Sequence, residues 1–147
     1  MSSARAQGAL KEYGKVGVQS GAAFASPHRL IQMLLEGALE KISSAKGFME
    51  RKDIEKKGNY ISWAISIIEG LRISLDFEKG GEIAENLNGL YEYMKVRLVE
   101  ANLHNSQEML DEVATLLNTI KAGWDAIPED VKSRHAEALQ TGTVFKP

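Results

Sequence analysis

The helical spacing of apolar residues between positions 26 and 127 is the feature that most constrains the fold of this 147-residue chain. Apolar side chains recur three or four residues apart in four successive segments, and no segment alternates with a period of two. Short joins near residues 51–52, 79–81 and 104–105 separate the segments. The pattern predicts an all-α protein, an antiparallel up-down four-helix bundle without strands.

Capping and turn residues predict where the first two helices begin and end. Ser26 precedes a proline, and a serine cap followed by proline at the first helical position favours a helix start there. Asp53 is the expected cap of the second helix. That helix is expected to reach Phe77 and to end at Gly80 and Gly81, because glycine readily adopts the left-handed conformation that follows a helix.

The third helix is expected over about 82–103. Further residues predict where the fourth helix begins and ends. Asn105 and Glu108 have the spacing of a capping box, which predicts the start of the fourth helix, and Pro128 is expected to stop it. The domain organisation follows: a mobile N-terminal arm over 1–25, a bundle over 26–127, and a short C-terminal helix with a tail over 128–147.

Composition and charge exclude several classes of function. The chain has no cysteine and therefore no disulfide or thiolate metal site. A net charge of −2 does not favour nucleic acid or an anionic membrane as a partner. No apolar run reaches the roughly 18–20 residues of a membrane span, and no signal peptide precedes the bundle, so we expect no membrane insertion and a cytoplasmic protein.

Catalytic and cofactor motifs are not found in the sequence. Glu100 and His104 lie one helical turn apart, but a di-iron bundle needs Glu-x-x-His pairs on two helices, and that pattern is absent. No phosphate-binding loop and no nucleophile elbow occurs. We therefore expect no metal site, no cofactor and no enzymatic activity.

Helices one and two are more apolar than a bundle helix needs. Their apolar arcs cover roughly 180° and 200°, whereas the third and fourth helices have an ordinary stripe. The additional residues either complete the core or line a groove that binds another segment. The candidate contact residues are Leu35, Leu39, Tyr60, Trp63 and Ile67, with Tyr91 and Tyr93 on the third helix as weaker candidates.

The groove hypothesis leaves its occupant open. Tyr13, Val16 and Val18 of the arm could cover the groove while it is empty. A helical adaptor that binds some other partner's helix, or a bundle enzyme with a metal or cofactor, would fit the same architecture.

Considered together, the motifs of the chain resemble those of the FliS family of flagellar export chaperones. The resemblance extends over about residues 10–127. Its most characteristic stretches are ASPHRLIQML at 25–34, LYEYM at 90–94 and GWDAI at 123–127. Further matching stretches lie at 13–20, 36–40, 65–68, 71–76, 78–84, 86–87, 98–102 and 110–113.

The resemblance implies a function. Members of this family bind the C-terminal region of flagellin, which is disordered before assembly, prevent premature polymerisation and help deliver flagellin to the export gate. Tyr13 matches the family's tyrosine in the N-terminal arm, which supports the idea that the arm covers the groove. The departures are the stretch 21–24, Gly17 in the arm, and Gly58 and Asn59 early in helix two.

Overall fold

The computed structural model describes residues 25–126, which form four α-helices. In chain order these are α1 (Pro27–Glu50), α2 (Ile54–Ile73), α3 (Phe77–His104) and α4 (Gln107–Asp125). The described range contains no strand, and none of its helices is long and apolar enough to cross a membrane. The prediction of an all-α bundle is confirmed. The predicted arm, Ile127 and the predicted fifth helix lie outside the described residues.

The four helices pack as a ring in which each helix contacts two neighbours. Contacts join α1 to α2, α2 to α3, α3 to α4 and α4 back to α1. The start of α1 meets the end of α4, where Trp124 Nε1 donates to the His28 carbonyl oxygen at 3.0 Å. The end of α1 meets the start of α4, where Lys46 Nζ lies 2.9 Å from Asp111 Oδ1. These two contacts make α1 and α4 antiparallel.

The predicted caps of the first two helices are present. Ser26 Oγ accepts a hydrogen bond from the Arg29 backbone nitrogen at 3.1 Å, and proline occupies the first turn of α1. Asp53 Oδ1 accepts from the Lys56 backbone nitrogen at 3.1 Å. Each cap pairs a backbone N–H that has no partner within its own helix.

The predicted end of the second helix is wrong. Helix α2 ends at Ile73, and Asp76 caps α3 by accepting from the Lys79 backbone nitrogen at 3.0 Å. Gly80 and Gly81 therefore lie inside α3 and not in the join. Gly81 has the positive φ expected of a glycine, 55° with ψ −136°, but it kinks the start of α3. Gly81 separates a short helical turn at 77–80 from the helix over 82–104, so the predicted break at glycine and the predicted helix start near residue 82 are confirmed.

The predicted capping box of the fourth helix is also displaced. Asn105 ends α3 in the left-handed conformation with φ 51°, which asparagine tolerates better than most residues. Ser106 is the cap of α4, and its Oγ accepts from the Met109 backbone nitrogen at 3.1 Å. Asn105 therefore ends α3, and its neighbour Ser106 caps the start of α4.

Polar contacts fix α3 against α2 near both ends of α2. Lys57, at the start of α2, is buried and donates to the Asn102 carbonyl oxygen at 3.0 Å and to Asn105 Oδ1. Near the end of α2, Glu69 Oε1 lies 2.5 Å from Lys95 Nζ of α3, and Glu69 Oε2 lies 2.7 Å from Arg72 Nη2 of its own helix. These cations hold the pKa of Glu69 at about 2.

Candidate partner-binding surfaces

Helix α3 carries most of the exposed apolar surface of the described chain. Of nine large hydrophobic side chains that remain exposed, seven lie on this helix. A bundle helix normally turns apolar residues toward the core and polar residues toward solvent. Contiguous apolar exposure of this kind is typical of an interaction site. The seven residues are Phe77, Ile83, Leu90, Tyr93, Val96, Val99 and Leu103.

Part of this surface is an open groove between α3 and α4. Ile83 and Leu90 are exposed, with Leu87 half-buried between them, on the side of α3 that faces α4. Leu116 and Ile120 are half-buried on the facing side of α4. We call these five residues the α3–α4 groove. Because side chains on both walls remain accessible, the groove can accept apolar groups from a partner.

Tyr93, Arg97 and Glu112 form a polar clasp that closes the groove at the end nearer the C-terminus of α3. Tyr93 OH donates to Glu112 Oε2, and Arg97 Nε lies 2.6 Å from Glu112 Oε1. The hydrogen bonds from Tyr93 and Arg97 lower the pKa of the Glu112 carboxyl, and the bond to Glu112 raises the pKa of Tyr93. Between the clasp and the N-terminal end of α3, no hydrogen bond between side chains of α3 and α4 crosses the groove within the described residues.

A second part of the exposed surface is a stripe on the outer side of α3. Val96, Val99 and Leu103 are spaced three and four residues apart and are 60%, 57% and 73% exposed. They lie opposite Met94 and Leu98, which are completely buried. We call these three residues the outer stripe. Helix α3 is thus apolar on its core side and on its solvent side.

A different surface lies where α1 and α2 pack together. The rings of Phe48 and Tyr60 are 5.2 Å apart, and those of Tyr60 and Trp63 are 5.8 Å apart. Three cations lie on these rings. We call the six residues the basic-aromatic strip: Phe48, Tyr60, Trp63, Lys41, Arg51 and Lys56.

Three residues predicted as partner contacts lie in the core. Leu35 is 0% exposed, and Ile67 and Tyr91 are also buried. Burial raises the pKa of the Tyr91 phenol well above its usual value. These side chains are inaccessible in the folded bundle, so the reason for choosing Leu35 and Ile67, that they lie outside the core, is wrong.

The other predicted contact residues are distributed over different surfaces. Leu39 packs half-buried against the core, Tyr60 and Trp63 belong to the basic-aromatic strip, and Tyr93 is part of the clasp. Tyr13 lies outside the described residues. The structure therefore does not bring the predicted residues together into one groove. Their contact with a partner remains a prediction.

The sequence contains a signal for the α3 surface that the core pattern of the same helix conceals. Val96, Val99 and Leu103 have helical spacing of their own, but they are out of phase with the core stripe on Leu87, Met94 and Leu98. A search for a second helical phase identifies them. Because the core stripe is complete, periodicity in a single phase predicts only an ordinary amphipathic helix there.

No group of three or more His, Cys, Asp or Glu side chains within residues 25–126 is arranged to hold a metal ion. Glu100, one of the two residues with ligand-like spacing, instead forms an ion pair with Arg97 at 3.4 Å. Its partner in that spacing, His104, lies exposed in the last turn of α3.

Comparison with known proteins gives a consistent result. The family model described as "Flagellar protein FliS" matches residues 9–131. A protein named "Flagellar secretion chaperone FliSB" from Pseudomonas aeruginosa is 53% identical over 119 residues, which cover 81% of this chain and 94% of that protein.

Two further relatives carry the name "Flagellar secretion chaperone FliS". The protein from Salmonella typhimurium is 47% identical, over 80% of this chain and 88% of its own length. The protein from Vibrio cholerae is 41% identical, over 84% of this chain and 91% of its own length. The region matched by the family model includes all four described helices.

Proposed function

Because the chain belongs to the FliS family of flagellar secretion chaperones, we propose that it binds the disordered C-terminal segment of flagellin on α3. Binding prevents premature polymerisation and keeps the segment in a form that can be delivered to the flagellar export gate. The observation that supports this proposal is the exposed apolar surface of α3, which comprises the α3–α4 groove and the outer stripe.

The energetics favour a long contact. Burial of about 300 Å² of apolar surface in the groove would contribute at most about 8 kcal/mol. Ordering a disordered segment costs about 1–2 kcal/mol for each residue that becomes fixed, so a ten-residue contact limited to the groove would bind weakly. The client is therefore expected to cover the groove and the outer stripe together. The part of α3 that follows the kink at Gly81, residues 82–104, is about 35 Å long, which provides the required length.

The chaperone role requires no chemistry on the client. Holding and releasing a segment needs only reversible burial of apolar surface, and we propose that the chain has no catalytic activity. We also propose that it acts in the cytoplasm, since a chaperone that prepares a protein for export meets it on the side from which export begins.

Titration calorimetry with a peptide of the cognate flagellin's C-terminal segment tests the proposal. We expect one-to-one binding with a negative heat-capacity change, the mark of apolar burial. The double variant Ile83→Ser/Leu90→Ser should weaken binding about 30-fold or more, because two apolar contacts of about 1 kcal/mol or more each are lost.

The matched control is Ile54→Ser, which removes an exposed isoleucine on α2. It should change the affinity by less than about twofold. Circular dichroism and urea unfolding establish that each variant is folded. If the folded wild-type protein does not bind the peptide, the proposed client is wrong. If it binds and the groove variant binds equally well, the client lies elsewhere on the bundle.

The arm is the proposed cover of the empty groove. Its last residues join α1 beside the end of α4, where Trp124 contacts His28, and Ile120 of the groove lies one turn from Trp124. The first described residues, where the arm joins the bundle in sequence, therefore lie near the open end of the groove. Deleting residues 1–20 should tighten client binding, because a covered site lowers the apparent affinity. Loss of binding on deletion would instead make the arm, including Tyr13, part of the client site.

A further inference from the structure

We propose that the basic-aromatic strip between α1 and α2 is a second docking surface, which binds an acidic segment of another protein that carries an aromatic or aliphatic anchor. The strip is separate from the client surface on α3, and the inference does not depend on which client α3 binds.

The three cations of the strip are held in place by the rings beneath them. Lys41 Nζ lies 3.9 Å from the centroid of the Trp63 ring. The Arg51 guanidinium lies 4.8 Å from the Phe48 ring, and Lys56 Nζ lies 5.6 Å from the same ring. A ring attracts a cation through its quadrupole but has no net charge. Arg51 and Lys56 are exposed, so their charge remains available to a carboxylate, whereas the Lys41 side chain is only 14% exposed.

Four carboxylates, Glu40, Glu50, Asp53 and Glu55, stand near the cations of the strip in the chain, but only Glu40 is paired with one of them. Within residues 25–126 no salt bridge is formed by Arg51 or Lys56, and Lys41 pairs only with its chain neighbour Glu40, at 3.2 Å. Most other cations that lie between helices are paired across the bundle, as Lys46 is with Asp111. A guanidinium and two ammonium groups in a row match the geometry and charge of an acidic peptide.

The position of the strip permits simultaneous binding of a client. In the ring of helices, the α1–α2 edge lies opposite the α3–α4 edge. A segment bound in the α3–α4 groove leaves Trp63, Arg51 and Lys56 exposed. The strip can therefore recognise a partner whether or not the chaperone is loaded.

The dimensions of the strip favour a peptide over a lipid surface. Lys41 and Arg51 are ten residues apart on one helix, or about 15 Å, which corresponds to about five residues of extended chain. Membrane-binding surfaces present apolar tips that enter the bilayer. Here the rings lie below the cations in the seam between two helices, which suits an apolar side chain flanked by carboxylates.

A labelled acidic peptide is the probe for the test. It contains about 12 residues, with glutamates and aspartates around one phenylalanine and one leucine, and anisotropy is measured at about 50 mM and 500 mM NaCl. We expect saturable binding to the full chain that weakens at least about tenfold at the higher salt. The strip variant should weaken binding at low salt at least about tenfold. That variant is Lys41→Gln/Arg51→Gln/Lys56→Gln.

A charge-matched control removes three cations outside the strip, Arg29→Gln/Lys46→Gln/Lys79→Gln, and should leave the affinity within about twofold. Serine in place of the peptide's phenylalanine should weaken binding about fivefold, since the anchor is lost. Circular dichroism verifies the fold of both triple variants.

Four results would overturn the proposal. The first is no binding at low salt, and the second is equal loss of binding in both triple variants, which indicates attraction by net charge alone. The third is strip-dependent binding of phosphatidylserine vesicles without binding of the peptide, which would assign the strip to a membrane. The fourth is a concentration-dependent dimer that the strip variant abolishes, because the occupant would then be a second copy of the chain.

Discussion

Truncation of Leu35 tests whether this residue belongs to the core or contacts the client. Its side chain is 0% exposed and belongs to the hydrophobic core cluster. Leu35→Ala removes buried methyl groups and leaves a cavity, which costs about 3 kcal/mol. In a domain of about 100 residues this loss corresponds to a Tm about 12–24 °C lower. Client affinity of the folded fraction should be unchanged.

The assay pairs this variant with Leu90→Ala. Leu90 lies in the α3–α4 groove and is 37% exposed, so truncation should cost less than about 1 kcal/mol of stability. It should weaken client binding about five- to tenfold. Urea unfolding followed by circular dichroism gives the stabilities, and calorimetry well below each Tm gives the affinities.

The opposite pattern would refute the reasoning. If Leu35→Ala is nearly as stable as the wild type but binds the client poorly, Leu35 is a contact residue and its place in the core is wrong. If both variants lose stability and neither loses affinity, Leu35 is a core residue and the client does not use the groove at Leu90.

Three further predictions concern local structure and pH. Ser106→Ala should lower the free energy of unfolding by about 1 kcal/mol because it removes the cap of α4, and urea unfolding measures this change. Gly81→Ala should destabilise by about 1–2 kcal/mol because φ is +55° there, whereas Gly89→Ala, in the helix with open space around it, should be neutral or stabilising in the same assay. The lowered pKa of Glu69, about 2, predicts that the ionised carboxylate contributes stability above pH 4.5 and loses that contribution as the pH falls toward 2. Glu69→Gln should remove about 1 kcal/mol of this acid-dependent stability, seen by comparing unfolding at neutral and acidic pH. An unchanged acid profile would mean that the ion pairs to Lys95 and Arg72 contribute nothing.

Helix existence could be predicted from the sequence, but two of the junctions could not. The caps at Ser26 and Asp53 stand alone in their neighbourhoods, so the local signal is unambiguous. Between α2 and α3 the sequence offers Asp76 as a cap and Gly81 as a break, only five residues apart. Either could end a helix. The choice depends on Leu75, which is buried in the core and fixes where the chain must turn. Tertiary packing, which no local pattern contains, decided the boundary.

The candidate site was harder to predict for a related reason. Periodicity tells which residues share a helix face, but not how many neighbouring helices cover that face. The wide apolar arcs of α1 and α2 are largely buried, as Leu35 and Ile67 show, because each helix packs against two neighbours. On α3 the same number of neighbours leaves Val96, Val99 and Leu103 uncovered, because they lie on its solvent side. Whether an apolar residue is buried thus depends on its direction around the helix axis relative to the two neighbouring helices.

The two proposed surfaces differ in the physics of binding, so one can be correct without the other. The α3 surface is apolar, and binding there should depend on temperature through its heat capacity and only weakly on salt. The basic-aromatic strip attracts carboxylates chiefly through Arg51 and Lys56, which are exposed, and binding there should weaken as salt screens the charges. A partner that binds both edges of the bundle would show the two dependences together. The strip variant would remove the salt dependence and leave the heat-capacity change, whereas the groove variant would do the reverse.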